Sequence, residues 1–353
     1  MHEIDRSRPI LVTGGTGYLA SWIIKKLLEK GIDVHATVRD PSDSIMLNHF
    51  DVMTNTLPGK LKLFQANLLD IGSFDEAMHD CELVIHTASP FFLTGIKNPE
   101  DELIRPARDG VKNVLESANC NPTVKRIVLT SSVAAIYGDN ADIQLTETGT
   151  FTEKDWNVTS NAIHQPYAYS KTIAEKEAWS MAEKQDQWDL VVINPGWILG
   201  PSLTKRKDSM SIDFMLQLGI GAFKTGVPAF TTAIVDIRDV ATAHINAGFT
   251  PEASGRHIVV SGVETLLGIS NILRKSFGDK YPFPRRQVPK FVFWLIAPML
   301  GYTRQYVSQN VGIPLNIDNS NSIKDLDMSY IPYEQTIKEH FQQILDDGLL
   351  IKL

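Results

Sequence analysis

The segment Ile10-Leu11-Val12-Thr13-Gly14-Gly15-Thr16-Gly17-Tyr18-Leu19-Ala20 constrains this chain more than any other. Four apolar or β-branched residues run into a Gly-rich turn and directly into a helical stretch. Glycine suits such a turn because a Cβ would bar positive φ and keep the backbone away from a bound group. A helix N-terminus placed just after it offers free N–H groups and the positive end of its dipole to an anion. The spacing satisfies Gly-x-x-Gly-x-x-Ala from Gly14 and Gly-x-Gly-x-x-Ala from Gly15, with Ala20 as the small residue that lets helix pack on strand. This unit predicts a dinucleotide pyrophosphate at the turn, and it needs a sheet to bury its strand.

The following residues supply one. Short apolar runs at Asp33 to Val38, Leu61 to Ala66, Leu83 to His86, Arg126 to Thr130 and Leu190 to Ile193 read as strands buried on both faces. Helical stretches lie between them at Leu19 to Lys30, Glu100 to Ser117 and Tyr167 to Glu183, the last opened by Pro166. Such alternation predicts an α/β fold, a doubly wound parallel sheet of the Rossmann type. After Pro195, Gly, Pro and aromatic residues become frequent and the alternation fades. Helices are expected at Asp208 to Leu218, Arg238 to Gly248, Thr265 to Phe277 and Tyr333 to Leu345, with one strand at His257 to Val260. The expected division is a dinucleotide-binding part over residues 9–195 and a smaller, irregular, mainly substrate-binding part over 196–353, some of whose segments return to the sheet.

Charge and composition narrow the partners. Of 353 residues, 34 are Lys or Arg and 41 Asp or Glu, so the net charge of −7 argues against nucleic acid or an anionic membrane as the main partner. The most apolar stretch, Phe291 to Leu300, is shorter than the roughly 20 residues that span a bilayer, and it contains Pro298. Met1 to Pro9 is polar, and the two cysteines form no disulfide framework. A cytoplasmic protein, monomeric or homodimeric, acting on a small molecule is expected.

Two further patterns carry chemistry. The second strand ends Ala36-Thr37-Val38-Arg39-Asp40-Pro41, placing Arg39 where a site for NAD would hold an acid. A guanidinium can pair a 2′-phosphate in bidentate fashion, which favours NADPH; the competing reading gives the ribose to Asp40. Downstream, Tyr167-Ala168-Tyr169-Ser170-Lys171 sets Tyr167 and Lys171 on one helix face, with Tyr169 pointing away. An adjacent ammonium lowers a phenol's pKa toward the range useful for proton transfer. The strand Arg126 to Thr130 ends in Ser131 and Ser132, whose hydroxyls can bond a substrate carbonyl. The nine histidines show no metal-binding spacing; His86 reads as a structural hydrogen-bonding residue and His244 as a packing or surface residue.

These strings, with Val84 to Pro90, Asn194-Pro195-Gly196 and Val235 to His244, resemble the extended short-chain dehydrogenase/reductases of the NAD-dependent epimerase/dehydratase superfamily, and among them the dihydroflavonol 4-reductase-like carbonyl and aldehyde reductases. The resemblance runs from Pro9 to about Val260. It implies Ser132 as the catalytic serine rather than Ser131, Tyr167 as general acid, and Lys171 as its electrostatic partner and ribose ligand. It places Gly14, Gly17, Tyr18 and Leu19 on the phosphate turn, Arg39 on the 2′-phosphate, Asn67 and Leu68 beside the adenine, Ala88 and Ser89 near the ribose, and Pro195 before a loop over the nicotinamide. Two departures stand out: Asn67 replaces the usual Asp, and Ala20 the third Gly. Phe91, Phe92, Trp197 and Phe223 either line a hydrophobic pocket or pack in the core. The implied reaction is NADPH-dependent reduction of a moderately hydrophobic ketone or aldehyde. A nucleotide-sugar epimerase or dehydratase shares the Ser/Tyr/Lys set, and a cofactor-sensing protein without turnover is the third reading.

Overall fold

The computed structural model describes residues 2–89, 98–206 and 209–350. Its elements in chain order are β1 (Ile10–Thr13), α1 (Tyr18–Glu29), β2 (Val34–Val38), α2 (Ser44–Thr56), β3 (Leu61–Gln65), α3 (Asp75–Met78), β4 (Leu83–His86), α4 (Arg105–Cys120), β5 (Arg126–Thr130), α5 (Pro166–Ala182) and β6 (Asp189–Pro195). There follow β7 (Trp197–Leu199), α6 (Met210–Ile220), β8 (Val227–Pro228), β9 (Thr231–Asp236), α7 (Ile237–Phe249), β10 (Gly255–Val259), β11 (Gly262–Thr265), α8 (Leu266–Phe277), β12 (Gln287–Val288), α9 (Lys290–Ile296), α10 (Arg304–Asn310), α11 (Ser320–Asp325) and α12 (Tyr333–Asp346).

Seven parallel strands form the main sheet in the order β10-β6-β5-β4-β1-β2-β3. The order reverses at β1, which lies between β4 and β2, so the crevice beyond the strands' C-terminal ends opens there. Successive strand residues point to opposite faces. Ile10, Val12, Ile85, Val128 and Val191 pack with α1 and α7, while Leu11, Val84, Ile127, Leu129 and Val192 pack with α4 and α5. This double burial is why the runs are apolar without alternating. Arg126, fully buried at the start of β5, is neutralised by Asp189 (Nε to Oδ1, 2.6 Å) and donates to the carbonyls of Ala247 (3.1 Å), Thr250 and Pro251 (3.0 Å), fixing the end of α7.

The expected helix at Glu100 to Ser117 is in fact a π-helical turn over Glu100–Ile104 followed by α4. Pro106 lacks an N–H and cannot continue an i→i−4 ladder into that turn. The late region is more regular than its sequence suggests. Besides β10, which joins the main sheet beside β6, it contains a three-stranded sheet, β11-β9-β7, packed on a cluster from α6, α8 and α12. Among the described residues no helix is long and apolar enough to cross a membrane.

Candidate active site

The Gly-rich turn joins β1 to α1 at the switch point. Gly14 has φ +69, and its N–H donates to Thr37 Oγ1 (3.1 Å), while the Gly15 N–H donates to the Thr37 carbonyl (2.7 Å). A Cβ on Gly14 would lie 3.0 Å from the Ala88 Cα, and one on Gly17 would lie 3.0 Å from the Gly14 carbonyl oxygen. Backbone alone therefore fits in this turn. Gly17 precedes α1, no side chain caps that helix, and no acid sits in its first turn. Free N–H groups without a competing carboxylate suit a pyrophosphate. Leu19 is buried behind the turn, and the Tyr18 hydroxyl donates to the Gly200 carbonyl. The segment after β7 straps across α1, with Trp22 Nε1 donating to Pro201 O (2.8 Å) and Arg206 Nη1 to Thr16 O (3.1 Å). This strap was not foreseen, since nothing local in Gly200 to Arg206 signals it.

At the end of β2, Arg39 is exposed and lines a cavity of about 410 Å³ with Gln65, Ala66, Asn67, Asp70 and Ser73. Asp40 is not among its walls. Its carboxylate accepts the Ser42 N–H (2.8 Å) and hydroxyl (2.6 Å), which hold it below the usual carboxylate range. The acid that competes with Arg39 is thus turned to its own loop. Asn67 Oδ1 accepts the Leu69 N–H (3.1 Å), closing a local turn.

Leu68, Ala88, Ser89 and Lys171 meet at a small space beneath the sheet's C-terminal edge, together with Ser131 and Glu175. Lys171 is 8% exposed and its Nζ donates to Ser89 Oγ (3.1 Å). Burial drives its pKa down to about 8, against the pull of Glu175. Tyr167 and Ser132 are hydrogen-bonded to each other. Burial pushes the Tyr167 phenol up to about 12, and the Ser132 bond draws it back. Ser132 Oγ also accepts the Ala134 N–H (3.1 Å). The phenol is raised rather than lowered as expected, because burial is the largest influence on it.

The two serines diverge. Ser131 is 5% exposed and its hydroxyl donates to Glu175 Oε2, which also accepts Asn194 Nδ2 (2.8 Å). Glu175 Oε1 is met by Arg256 Nε (2.6 Å), whose guanidinium covers the Trp156 ring at 3.9 Å. Glu175 went unnoticed in the sequence, although it stands four residues after Lys171 on the same helix face. Before α5, Gln165 takes a left-handed conformation (φ 58, ψ 52), with Nε2 donating to Gly138 O (2.8 Å) and Asp139 Oδ1 (3.1 Å). Asp139 Oδ2 bonds His164 Nε2 (2.6 Å), so the loop beyond Ser132 pins the start of the helix that carries Tyr167.

Pro195 ends β6, and Gly196 leads at once into β7 rather than into the expected loop. A Cβ at Gly196 would stand 2.8 Å from the Ala233 carbonyl, so glycine admits β9 there. Trp197 packs on Phe214 (4.7 Å between centroids) and Phe214 on Phe223 (6.0 Å), within the cluster of the later part. Phe91 and Phe92 lie outside the described residues. His86 and His244 are buried, bonded to Thr13 Oγ1 (2.8 Å) and Thr130 Oγ1 (2.6 Å), and burial holds them neutral, at about 3 and about 4. Tyr169 stays half-buried two residues from Tyr167.

Residues 10–261 match the model of the NAD dependent epimerase/dehydratase family. The chain is 36% identical over 348 residues to cinnamoyl-CoA reductase CAD2 of Medicago truncatula, covering 98% of each chain. It is 32% identical over 285 residues to dihydroflavonol 4-reductase of Gerbera hybrida, covering 79% of this chain and 74% of that one. Among solved structures, Gre2 of Candida albicans in complex with NADPH superposes with a TM-score of 0.77 at 29% identity, covering 96% of this chain and 99% of that one. With its switch-point turn and Ser132, Tyr167 and Lys171 at one sheet edge, the chain belongs to the NAD dependent epimerase/dehydratase family and is an NAD(P)-dependent reductase of its extended short-chain dehydrogenase/reductase group.

Proposed function

We propose that this reductase uses NADPH to reduce the carbonyl of uncharged, moderately hydrophobic ketones or aldehydes to alcohols, with Tyr167 as the general acid. The observation that carries the reading is the Ser132–Tyr167 hydrogen bond, set beside a buried Lys171 at the open edge of β4 and β5. When bound, the cofactor supplies the hydride. Gly14, Gly17, Tyr18 and Leu19 hold its pyrophosphate, Arg39 its 2′-phosphate, and Asn67 and Leu68 its adenine side. Ala88, Ser89 and Lys171 hold the ribose near the nicotinamide, and Pro195 borders that ring.

A phenol at about 12 keeps its proton at neutral pH, so Tyr167 is ready to donate to a carbonyl oxygen as charge develops there. Ser132 donates to the same oxygen, and the Lys171 ammonium, one helical turn along, offsets the charge left on Tyr167. Residues 9–195 serve the cofactor and the Ser/Tyr/Lys group, and 196–353 serve mainly the substrate, with β10 returning to the sheet. A relative named for cinnamoyl-CoA and another named for a dihydroflavonol support aryl-bearing substrates.

An NADPH-oxidation assay across matched aryl and alkyl ketones, aldehydes and UDP-sugars tests this. Aryl carbonyls should give the highest kcat/KM. Turnover confined to UDP-sugars would replace the reading with that of a nucleotide-sugar enzyme, and NADPH binding without turnover of any of them would leave a sensing protein.

A further inference from the structure

One part of the surface has no role in the site above. From Lys280 to Ile317 the chain carries five basic residues, Lys280, Arg285, Arg286, Lys290 and Arg304, and no Asp or Glu, although its net charge is −7. The middle of this stretch is α9 and the 3-10 turn Ala297–Leu300. Phe293 and Ala297 face inward onto Val307 and Val311. On the outer side Phe291 is 68% exposed and Leu295 53%, one turn apart on α9, and Met299, 87% exposed, follows in the 3-10 turn. Ile296 (40%), Leu300 (56%) and Tyr302 (46%) continue the patch. Exposed apolar ridges of this extent mark interaction surfaces. The charges flank the ridge rather than interrupt it. Lys290 opens α9 with Nζ on the Ser308 carbonyl (2.9 Å), and the Arg304 guanidinium lies over the Trp294 ring at 4.3 Å.

We propose that the face from Lys290 to Arg304 docks peripherally on anionic lipid bilayers, the Phe291–Leu295–Met299 row entering the headgroup boundary and Lys290 and Arg304 meeting lipid phosphates. An apolar row with cationic flanks is the composition of segments that lie in a bilayer interface. Basic side chains beside such a row are drawn to the negative leaflet within about a Debye length. A second copy of the chain suits this face less well. A two-fold contact sets the same patch against itself, so the two cationic rims would face each other. Of the five basic residues, Arg285 is paired with Asp279 (2.6 Å), so the charge offered to lipid is that of Lys290 and Arg304 beside the row. The inference stands apart from the choice of substrate.

Co-sedimentation of the full chain with phosphatidylcholine vesicles, alone or mixed with phosphatidylserine, tests it. Binding should appear with the mixed vesicles and weaken as salt is raised. Phe291→Glu/Met299→Glu and Lys290→Glu/Arg304→Glu should each cut partitioning by about tenfold or more. NADPH oxidation and melting temperature should hold in both, since these side chains are exposed, which separates docking from misfolding. Three results would overturn the proposal. One is equal binding to neutral and anionic vesicles, and another is binding unchanged by both variants. The third is a concentration-dependent dimer, abolished by Met299→Glu, with no vesicle binding, which would assign the face to a second copy.

Discussion

Lys171 and Arg39 carry the residue-scale consequences. The Lys171 pKa of about 8 keeps the ammonium present below that pH and removes it above, so kcat/KM for reduction should fall as pH rises past about 8. Glu175 holds that charge in place. Glu175→Gln should move the alkaline limb to lower pH, and a pH profile identical to the parent would show that the Glu175–Arg256 pair has no influence on the site. Arg39→Ala should weaken NADPH by about 1.5–3 kcal/mol, the value of a charged hydrogen bond, and barely affect NADH. Equal loss for both cofactors in titrations would transfer the ribose to another residue. At this scale the sequence was legible where a residue acts through its own motif, as Tyr167 and Lys171 do. Glu175 and Arg256 were not, because they lie 81 positions apart along the chain and their meeting depends on β10 pairing with β6.

Elements place the site through their ends. The turn before α1 was readable from Gly spacing and the end of β5 from hydroxyls closing an apolar run, while the end of β4 came only from the family resemblance. The start of α5 was readable only from Pro166. What holds it there is Asp139, which accepts from His164 (2.6 Å), Gln165 (3.1 Å) and Asn310 (2.5 Å), the last from α10. Asp139→Ala takes an acceptor from His164, Gln165 and Asn310, the last two of which keep the Gly138 and Tyr306 carbonyls, and should cost about 1–3 kcal/mol in urea unfolding. It should also lower kcat while leaving the Kd for NADPH nearly unchanged, because the phosphate turn is separate from this joint. A variant with parental stability and kcat would dismiss Asp139 as the pin. The short strands β7 and β11 were illegible because they are only three and four residues long and partly exposed, so neither a run nor an alternation develops, and β9 has only the short apolar run Ala233 to Val235.

Over the whole molecule, three fully buried histidines tie parts together in their neutral form. His86 links β4 to β1, His244 links α7 to β5, and His340 Nδ1 accepts the Gly200 N–H (3.1 Å), joining α12 to the strap over α1. Burial lowers them to about 3, about 4 and about 3 from an ordinary 6.5. A depressed pKa means that the unfolded chain binds the proton first, so the stability is present above pH 6.5 and is lost as pH falls. By about pH 5 each should remove about 2 kcal/mol from the folding free energy. Urea unfolding at both pH values checks this, and equal stability would contradict it. The doubly wound sheet was predictable in outline because both its faces are apolar. The docking of α12 was not, since Asp236 and Thr336 meet 100 positions apart.

Proton delivery by Tyr167 is probed by Tyr167→Phe, which keeps the ring and removes the hydroxyl. Single-turnover NADPH oxidation with an accepted aryl ketone should slow by about 1,000-fold or more, while NADPH fluorescence titration gives the parental Kd. Turnover near the parental rate in Tyr167→Phe, or its loss in Tyr169→Phe instead, would contradict the account.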